Sequence, residues 1–232
     1  MRRGNAGQVG PYRAPSSGVL SVSEIQQSKT AYAVSFLAVA GGGAGQQGID
    51  NVRYSGGGSG GEVLQGTVTI YKGSTYSISI GAGGSQPGGN GSNTSGFDFT
   101  VSGGNGAPDS AGGAAKPGAG KGGDSVGGNG TAGITVYSAG GGASRNGVGG
   151  NSLAGNGGTS GTAGTSGTAN TGAGGGGGDP ASSCAGGNGG SGVFIFSILT
   201  SEYSGIYTGT PTITTSGSYT ILKFTSSGTY TA

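Results

Sequence analysis

Gly158-Thr159-Ser160-Gly161-Thr162-Ala163-Gly164-Thr165-Ser166-Gly167-Thr168-Ala169 puts glycine at every third residue through four consecutive triplets. A polyproline II helix has three residues per turn, so this register sorts the segment into a glycine face, a threonine face and a mixed Ser/Ala face. The glycine face carries no side chains and lets a neighbouring backbone come close enough to hydrogen-bond. Gly155, Gly158, Gly161, Gly164 and Gly167 are therefore the expected bundle-packing residues. Thr159, Thr162, Thr165 and Thr168 form a candidate surface-binding array of methyl and hydroxyl groups suited to glycan, a neighbouring subunit or ice. At a rise of about 3.1 Å per residue, an unbroken helix from Gly155 to Gly167 reaches roughly 40 Å, which predicts an elongated molecule.

Glycine supplies 63 of 232 residues, so a core of large aliphatic side chains cannot extend through the whole chain. Collagen is excluded: it needs an unbroken triplet with abundant proline, whereas this chain has 7 Pro and its register slips, as at Asn170. Such slips suit several short helices folded back into a bundle. Charged residues make up only 8% of the chain, and β-patterned segments interrupt the glycine stretches, both of which argue for order. Because ordering glycine is entropically costly, the helices must be paired, and packing against other subunits is expected.

The β pattern is local. Tyr32 to Ala40 is apolar on alternate and intervening positions, which reads as a strand buried on both faces. Glu62 to Tyr71 and Tyr76 to Ile80 alternate as two strands, and Lys72-Gly73-Ser74-Thr75 between them predicts a hairpin. Shorter strands are expected at 97–101, 134–137 and 193–198. After these, Thr210 to Thr214 and Tyr219 to Phe224 pair about Ser216-Gly217. The fold class is thus mainly β, a short-stranded sandwich or barrel cap carrying a glycine-rich polyproline-II-type bundle, with almost no α-helix. Three regions follow: an anchoring arm over 1–30, whose Ser21 and Glu24 have capping-box spacing for a short helix, a glycine-rich domain over 31–199 and a terminal β-module over 200–232.

Chemistry is sparse. There is no His, and Cys184 has neither a disulfide partner nor an activating base. Gly118-Ala119-Gly120-Lys121-Gly122-Gly123 fits a dinucleotide fingerprint, but such matches arise freely in glycine-rich sequence and no β-α unit surrounds it. Asp50, Asp98, Asp109, Asp124 and Asp179 are dispersed and read as turn formers. The chain is expected to be no enzyme and to need no cofactor or metal. Its net charge of +2 is scattered, which argues against a nucleic-acid partner. No apolar run approaches the roughly 20 residues of a membrane span, and the first residues lack a signal peptide's apolar region, so synthesis in the cytoplasm without export is expected. Arg2, Arg3, Tyr12, Arg13, Leu20 and Ile25 are candidate anchoring residues, and Tyr203 and Tyr207 candidate sugar-stacking residues.

Three segments in order carry a resemblance: Phe36-Leu37-Ala38-Val39-Ala40-Gly41-Gly42-Gly43, Tyr76-Ser77-Ile78-Ser79-Ile80-Gly81-Ala82-Gly83-Gly84 and Gly187-Asn188-Gly189-Gly190-Ser191-Gly192-Val193-Phe194-Ile195-Phe196. They are flanked by Gly18 to Gln27 and by Gly217 to Tyr230. From about residue 16 to 232 the chain resembles the glycine-rich domains of bacteriophage tail and other virion proteins. The resemblance implies a structural component of a phage particle, a tail fibre or other attached spike on the tail or capsid exterior that takes part in host attachment. Its implied partners are other virion proteins, further copies of itself with a trimer favoured, and a host-surface glycan or protein. The alternative is a stand-alone ice- or glycan-binding module that uses the Thr face.

Overall fold

The computed structural model describes residues 30–50 and 53–232. The arm and its anchoring residues Arg2, Arg3, Tyr12, Arg13, Leu20 and Ile25, together with the short helix expected near Ser21, lie outside the described residues.

The described chain is mainly β. Its strands are β1 (Ala31–Val39), β2 (Val63–Tyr71), β3 (Thr75–Ile78), β4 (Thr94–Gly96), β5 (Phe99–Val101), β6 (Val193–Leu199), β7 (Ile206–Thr208), β8 (Thr212–Ser216), β9 (Tyr219–Phe224) and β10 (Gly228–Thr231). They form an antiparallel five-stranded sheet in the order β2-β1-β6-β9-β8, a three-stranded sheet β3-β10-β7 and the hairpin β4-β5. Period-two patterning puts Val34, Phe36 and Ala38 of β1, Phe194, Phe196 and Ile198 of β6, and Leu222 and Phe224 of β9 on one face. Ile78 and Tyr230 of the smaller sheet close over them, with the Phe196 and Tyr230 rings 5.0 Å apart. The two layers share one aromatic core, as in a sandwich.

Between the strands the glycine segments leave the sandwich and return. Ala40, Gly43 and Gln46 donate backbone hydrogen bonds to Glu62, Ser59 and Gly56; Gly41 and Ala44 to Ser92 and Gly89; Gly42, Gly45 and Gly48 to Gly190, Gly187 and Cys184. Each third residue thus addresses the same neighbour. Acceptor numbers fall as donor numbers rise, so the neighbours run antiparallel. This is the three-faced register of a polyproline-II-type helix, here satisfied by three different segments of the same chain. The segment 56–63 repeats the pattern: Gly56, Ser59 and Glu62 donate to Asp109, Asn105 and Ser102, while Gly57, Gly60 and Val63 donate to Gly123, Gly120 and Pro117. The remaining positions, Gly58 and Gly61, donate to Gly175 and Gly172. Such contact leaves no room for a side chain, since a Cβ on Gly58 would lie 2.1 Å from the carbonyl oxygen of Gly43.

Several expectations are corrected. The four triplets do not make one helix: Ser160 and Gly161 have φ of 51° and 76° and turn the chain, so Gly155 and Gly158 lie on one segment and Gly164 and Gly167 on the next. The roughly 40 Å rod is replaced by hairpinned segments, of which the nine residues 40–48 span about 25 Å. Lys72 to Thr75 is not a hairpin loop but a crossing between layers, because β2 pairs with β1 and β3 with β10. The strand expected at 97–101 is a hairpin whose turn is Phe97-Asp98, with the Phe97 ring held in the core. Residues 134–137 bend instead of pairing, and Ile134 and Val136 are exposed. β1 is covered on both faces only at its end, where Leu37 and Val39 meet Val63, Val193, Ile195 and Tyr137; Ala33 and Ser35 are exposed. Residues 200–232 share both sheets with the rest of the described chain, since β8 and β9 extend the large sheet and β7 and β10 build the small one with β3.

Candidate functional site

The antiparallel register places one set of turns at the end of the bundle away from the sandwich. Turns or bends at 109–111, 125–127, 144–146, 160–161 and 180–183 meet there with the Ile49–Arg53 bridge. They are tied to each other: Ser125 N–H donates to Ser110, Gly127 to Ser144, Arg145 to Gly158 and Asp179 to Thr162. Charge gathers at this end. Arg53 pairs with Asp109 and Lys121 with Asp124, while the Arg145 guanidinium sits 4.9 Å from the Tyr54 ring centroid. The Lys121 ammonium and the Gly112 N–H hold the Asp124 carboxyl below its usual range.

Asp179 is buried, and its Oδ1 accepts the N–H of Ala181 at 2.8 Å and of Gly161 at 3.3 Å. It stitches two neighbouring turns, an extension of the turn-forming role expected for these aspartates. Beside it lies a groove of about 330 Å³ lined by Arg145, Asn146, Thr159, Ser160, Asp179 and Ala181. The arrangement offers a charged, hydrogen-bonding rim on a rigid support, suited to binding. Among the described residues no group of three or more His, Cys, Asp or Glu is placed to hold a metal ion.

The expected packing glycines divide. A Cβ on Gly155, Gly158, Gly164 or Gly167 would fall 2.0, 2.1, 2.2 and 2.3 Å from the carbonyl oxygens of Thr165, Thr162, Gly176 and Ala173. At Gly161 the nearest atom is 3.8 Å away, so this residue serves the turn and not the packing. The Thr array is also divided. Thr159 is half-buried beside the groove, and Thr162, Thr165 and Thr168 are exposed on the following segment. Thr162 Oγ1 donates to Thr159 O at 2.7 Å and accepts its N–H at 3.0 Å, and Thr165 Oγ1 accepts the N–H of Asn156 at 2.8 Å. Tyr203 stacks on Tyr230 at 6.3 Å and covers the core, whereas Tyr207 is exposed at the edge of the small sheet.

Thr165 belongs to a wider device that the residue-by-residue reading missed. Polar side chains stand in where a backbone N–H has no facing carbonyl: Asn93 Oδ1 accepts from Gly103 at 3.0 Å, Asn90 from Gly106 at 2.9 Å, Asn129 from Val148 at 2.8 Å and Asn156 from Gly149 at 2.8 Å. For Asn90, Asn129 and Asn156 the signal was the Asn-Gly step in the glycine stretches; Asn93, which precedes Thr94, carries no such mark.

An aromatic sandwich from which a hydrogen-bonded glycine bundle projects defines a glycine-rich structural domain. The chain belongs to the glycine-rich domain family, whose model matches residues 20–199. No curated protein matches the sequence. The family match ends with β6, although Leu222, Phe224 and Tyr230 beyond it complete the core.

Proposed function

We propose that this protein is a non-enzymatic structural component of a bacteriophage particle, a tail fibre or other virion-attached spike on the tail or capsid exterior that takes part in host attachment. The observation that supports this reading most is the intrachain bundle, which carries a charged set of turns at the end away from the sandwich. A lattice in which three successive residues are bonded to three different neighbours resists bending and holds that rim at a fixed place, as an attachment element requires. The ordered resemblance of the glycine segments to those of virion proteins supports the same reading. Other virion proteins and further copies of the chain, with a trimer favoured, are its proposed partners, and a host-surface glycan or protein its target.

The alternative, an ice- or glycan-binding module working through the Thr face, needs an unbroken display of free hydroxyls. The turn at Ser160-Gly161 interrupts that face, and the Thr162 and Thr165 hydroxyls are engaged in holding backbone. The attachment reading is therefore preferred. Mass spectrometry and immunogold microscopy of purified virions from the source test it. Labelling on the tail or capsid exterior is the expected result, and complete absence of the chain from particles overturns it.

A further inference from the structure

A groove of about 530 Å³ lies between β3 and the β4-β5 hairpin, lined by residues 74–77 and 95–100. Its two walls are strand edges. The carbonyl of Ser74 accepts the N–H of Ala232 at 2.9 Å, and the pairing continues as Tyr76 with Tyr230 and Ile78 with Gly228. In an antiparallel ladder alternate residues turn their backbone groups to the same side, so positions 74, 76 and 78 are bonded to β10. Thr75 and Ser77 turn their N–H and C=O groups the other way. That is the side on which Ser79 exchanges hydrogen bonds with Ser95, each at 2.9 Å.

Past the Ser79–Ser95 bridge this ladder stops. The next partner of Ser77 would be Phe97, but Phe97 and Asp98, with φ of 50° and 67°, turn the chain back into β5. The Phe97 ring accounts for the turn at that position, since it packs edge-on to Phe194 and Phe196 at 5.4 and 5.0 Å. The two edges splay apart and leave a gap with four backbone groups of β3 aimed into it. Hydroxyl residues Thr75, Ser77, Ser95 and Thr100 line the gap, and Asp98 is the one charged side chain on its walls.

We propose that this groove is a docking site for an extended peptide strand of a partner protein. The strand pairs with β3 at Thr75 and Ser77 and sets a lysine or arginine against Asp98. Strand addition to an open edge draws its affinity from main-chain hydrogen bonds and its selectivity from side-chain contacts. The hydroxyl walls supply polar contacts on either side, and the lone carboxylate selects for a basic residue. The site is independent of the charged rim at the other end of the molecule, so it holds whether or not that rim meets a host.

The test uses the full-length ¹⁵N-labelled protein titrated with acetyl-Thr-Val-Lys-Val-Thr-amide. Saturable shifts of the Thr75 and Ser77 amides are expected, lost when alternate peptide nitrogens are methylated. Replacing the peptide's lysine by glutamate should weaken binding about threefold or more, and Asp98→Asn should remove that preference, because the pair is solvent-exposed. Asn tolerates the left-handed backbone at this position, so the variant keeps the fold. The assignment is overturned if Thr75 and Ser77 do not respond at millimolar peptide, or if the methylated peptide binds equally well. It is overturned as well if Asp98→Asn abolishes self-association of the free protein, which would make a second copy the occupant.

Discussion

The backbone N–H of Gly141 donates to the carbonyl of Gly58 at 2.8 Å in the middle of the bundle, and Gly58 in turn donates to Gly175 at 2.8 Å. Three segments far apart in the chain are joined at one level through groups that every residue possesses. What makes the junction specific is the absence of side chains: a Cβ on Gly141 would lie 2.1 Å from the Gly175 carbonyl oxygen.

Alanine substitutions should therefore separate the packing glycines from the turn glycines. Gly141→Ala and Gly164→Ala push a methyl into backbone that has no rotamer with which to yield, and each is expected to cost more than about 3 kcal/mol. Gly161→Ala meets only the strain of its positive φ, about 1 kcal/mol. Gly66→Ala, whose Cβ would sit 3.6 Å from the Phe36 ring, is expected to be nearly neutral. Denaturant midpoints of the four variants check the order; equal losses at Gly161 and Gly164 would contradict the turn.

The threonines differ in the same testable way. Thr165→Val removes the acceptor of the Asn156 N–H and should cost about 1 kcal/mol, whereas Thr168→Val, whose hydroxyl takes no part in the lattice, should cost little. Thermal denaturation of both variants decides it. A similar loss at Asn156→Ala is expected, because Gly149 then loses its acceptor.

A chain ending at Leu199 keeps every glycine segment and loses β7 to β10. It also strips Leu222, Phe224 and Tyr230 from the faces of Phe194 and Phe196. Such exposure of a contiguous aromatic surface should leave the truncated protein insoluble or without near-ultraviolet circular dichroism. A soluble, cooperatively melting fragment would make residues 200–232 a separate C-terminal module.

Acid should weaken the charged end first. The Asp124 carboxyl is held low by Lys121 and the Gly112 N–H, so it binds protons less readily folded than unfolded. Its contribution to stability is fully present above the ordinary carboxylate value near 3.8 and is lost as pH falls through the lowered folded value. The acid slope of stability should be shallower in Asp124→Asn, as read from urea midpoints at successive pH values.

At the other pH extreme, the Tyr32 hydroxyl is buried, and burial together with the neighbouring Tyr230 hydroxyl pushes its pKa up. The folded state keeps the proton, so stability should decline as pH rises above the ordinary value near 10. Tyr32→Phe removes the titrating hydroxyl and should reduce the alkaline loss, as read from urea midpoints between about pH 9 and 11. An undiminished alkaline loss in the variant would contradict the assignment to Tyr32.

Much of the sandwich was legible because its strands carry their burial in the period-two pattern: Val34, Phe36 and Ala38, or Phe194, Phe196 and Ile198, mark a core face without any partner in view. The candidate rim was less so. Its aspartates were visible as isolated turn formers, but nothing in the residue spacing shows that Arg145 meets Tyr54 or that Asp179 joins two turns. The triplet run misled for a physical reason, since a Gly-Thr-Ser repeat is equally compatible with a helix and with a turn at φ above zero.

The three-residue period, the exclusion of large side chains from the bundle and the absence of histidine follow from the amino-acid sequence alone, because they depend on which side chains exist. Which glycine segment lies beside which, where the chain reverses, and that the last 33 residues, 200–232, complete the same core were decided only in the tertiary structure. Backbone N–H and C=O groups are alike at every glycine, so the pairing of Gly58 with Gly141 and Gly175 carries no label in the residues themselves. It is selected by the simultaneous closure of all three faces of every segment and by the aromatic sandwich that holds the segment ends in place.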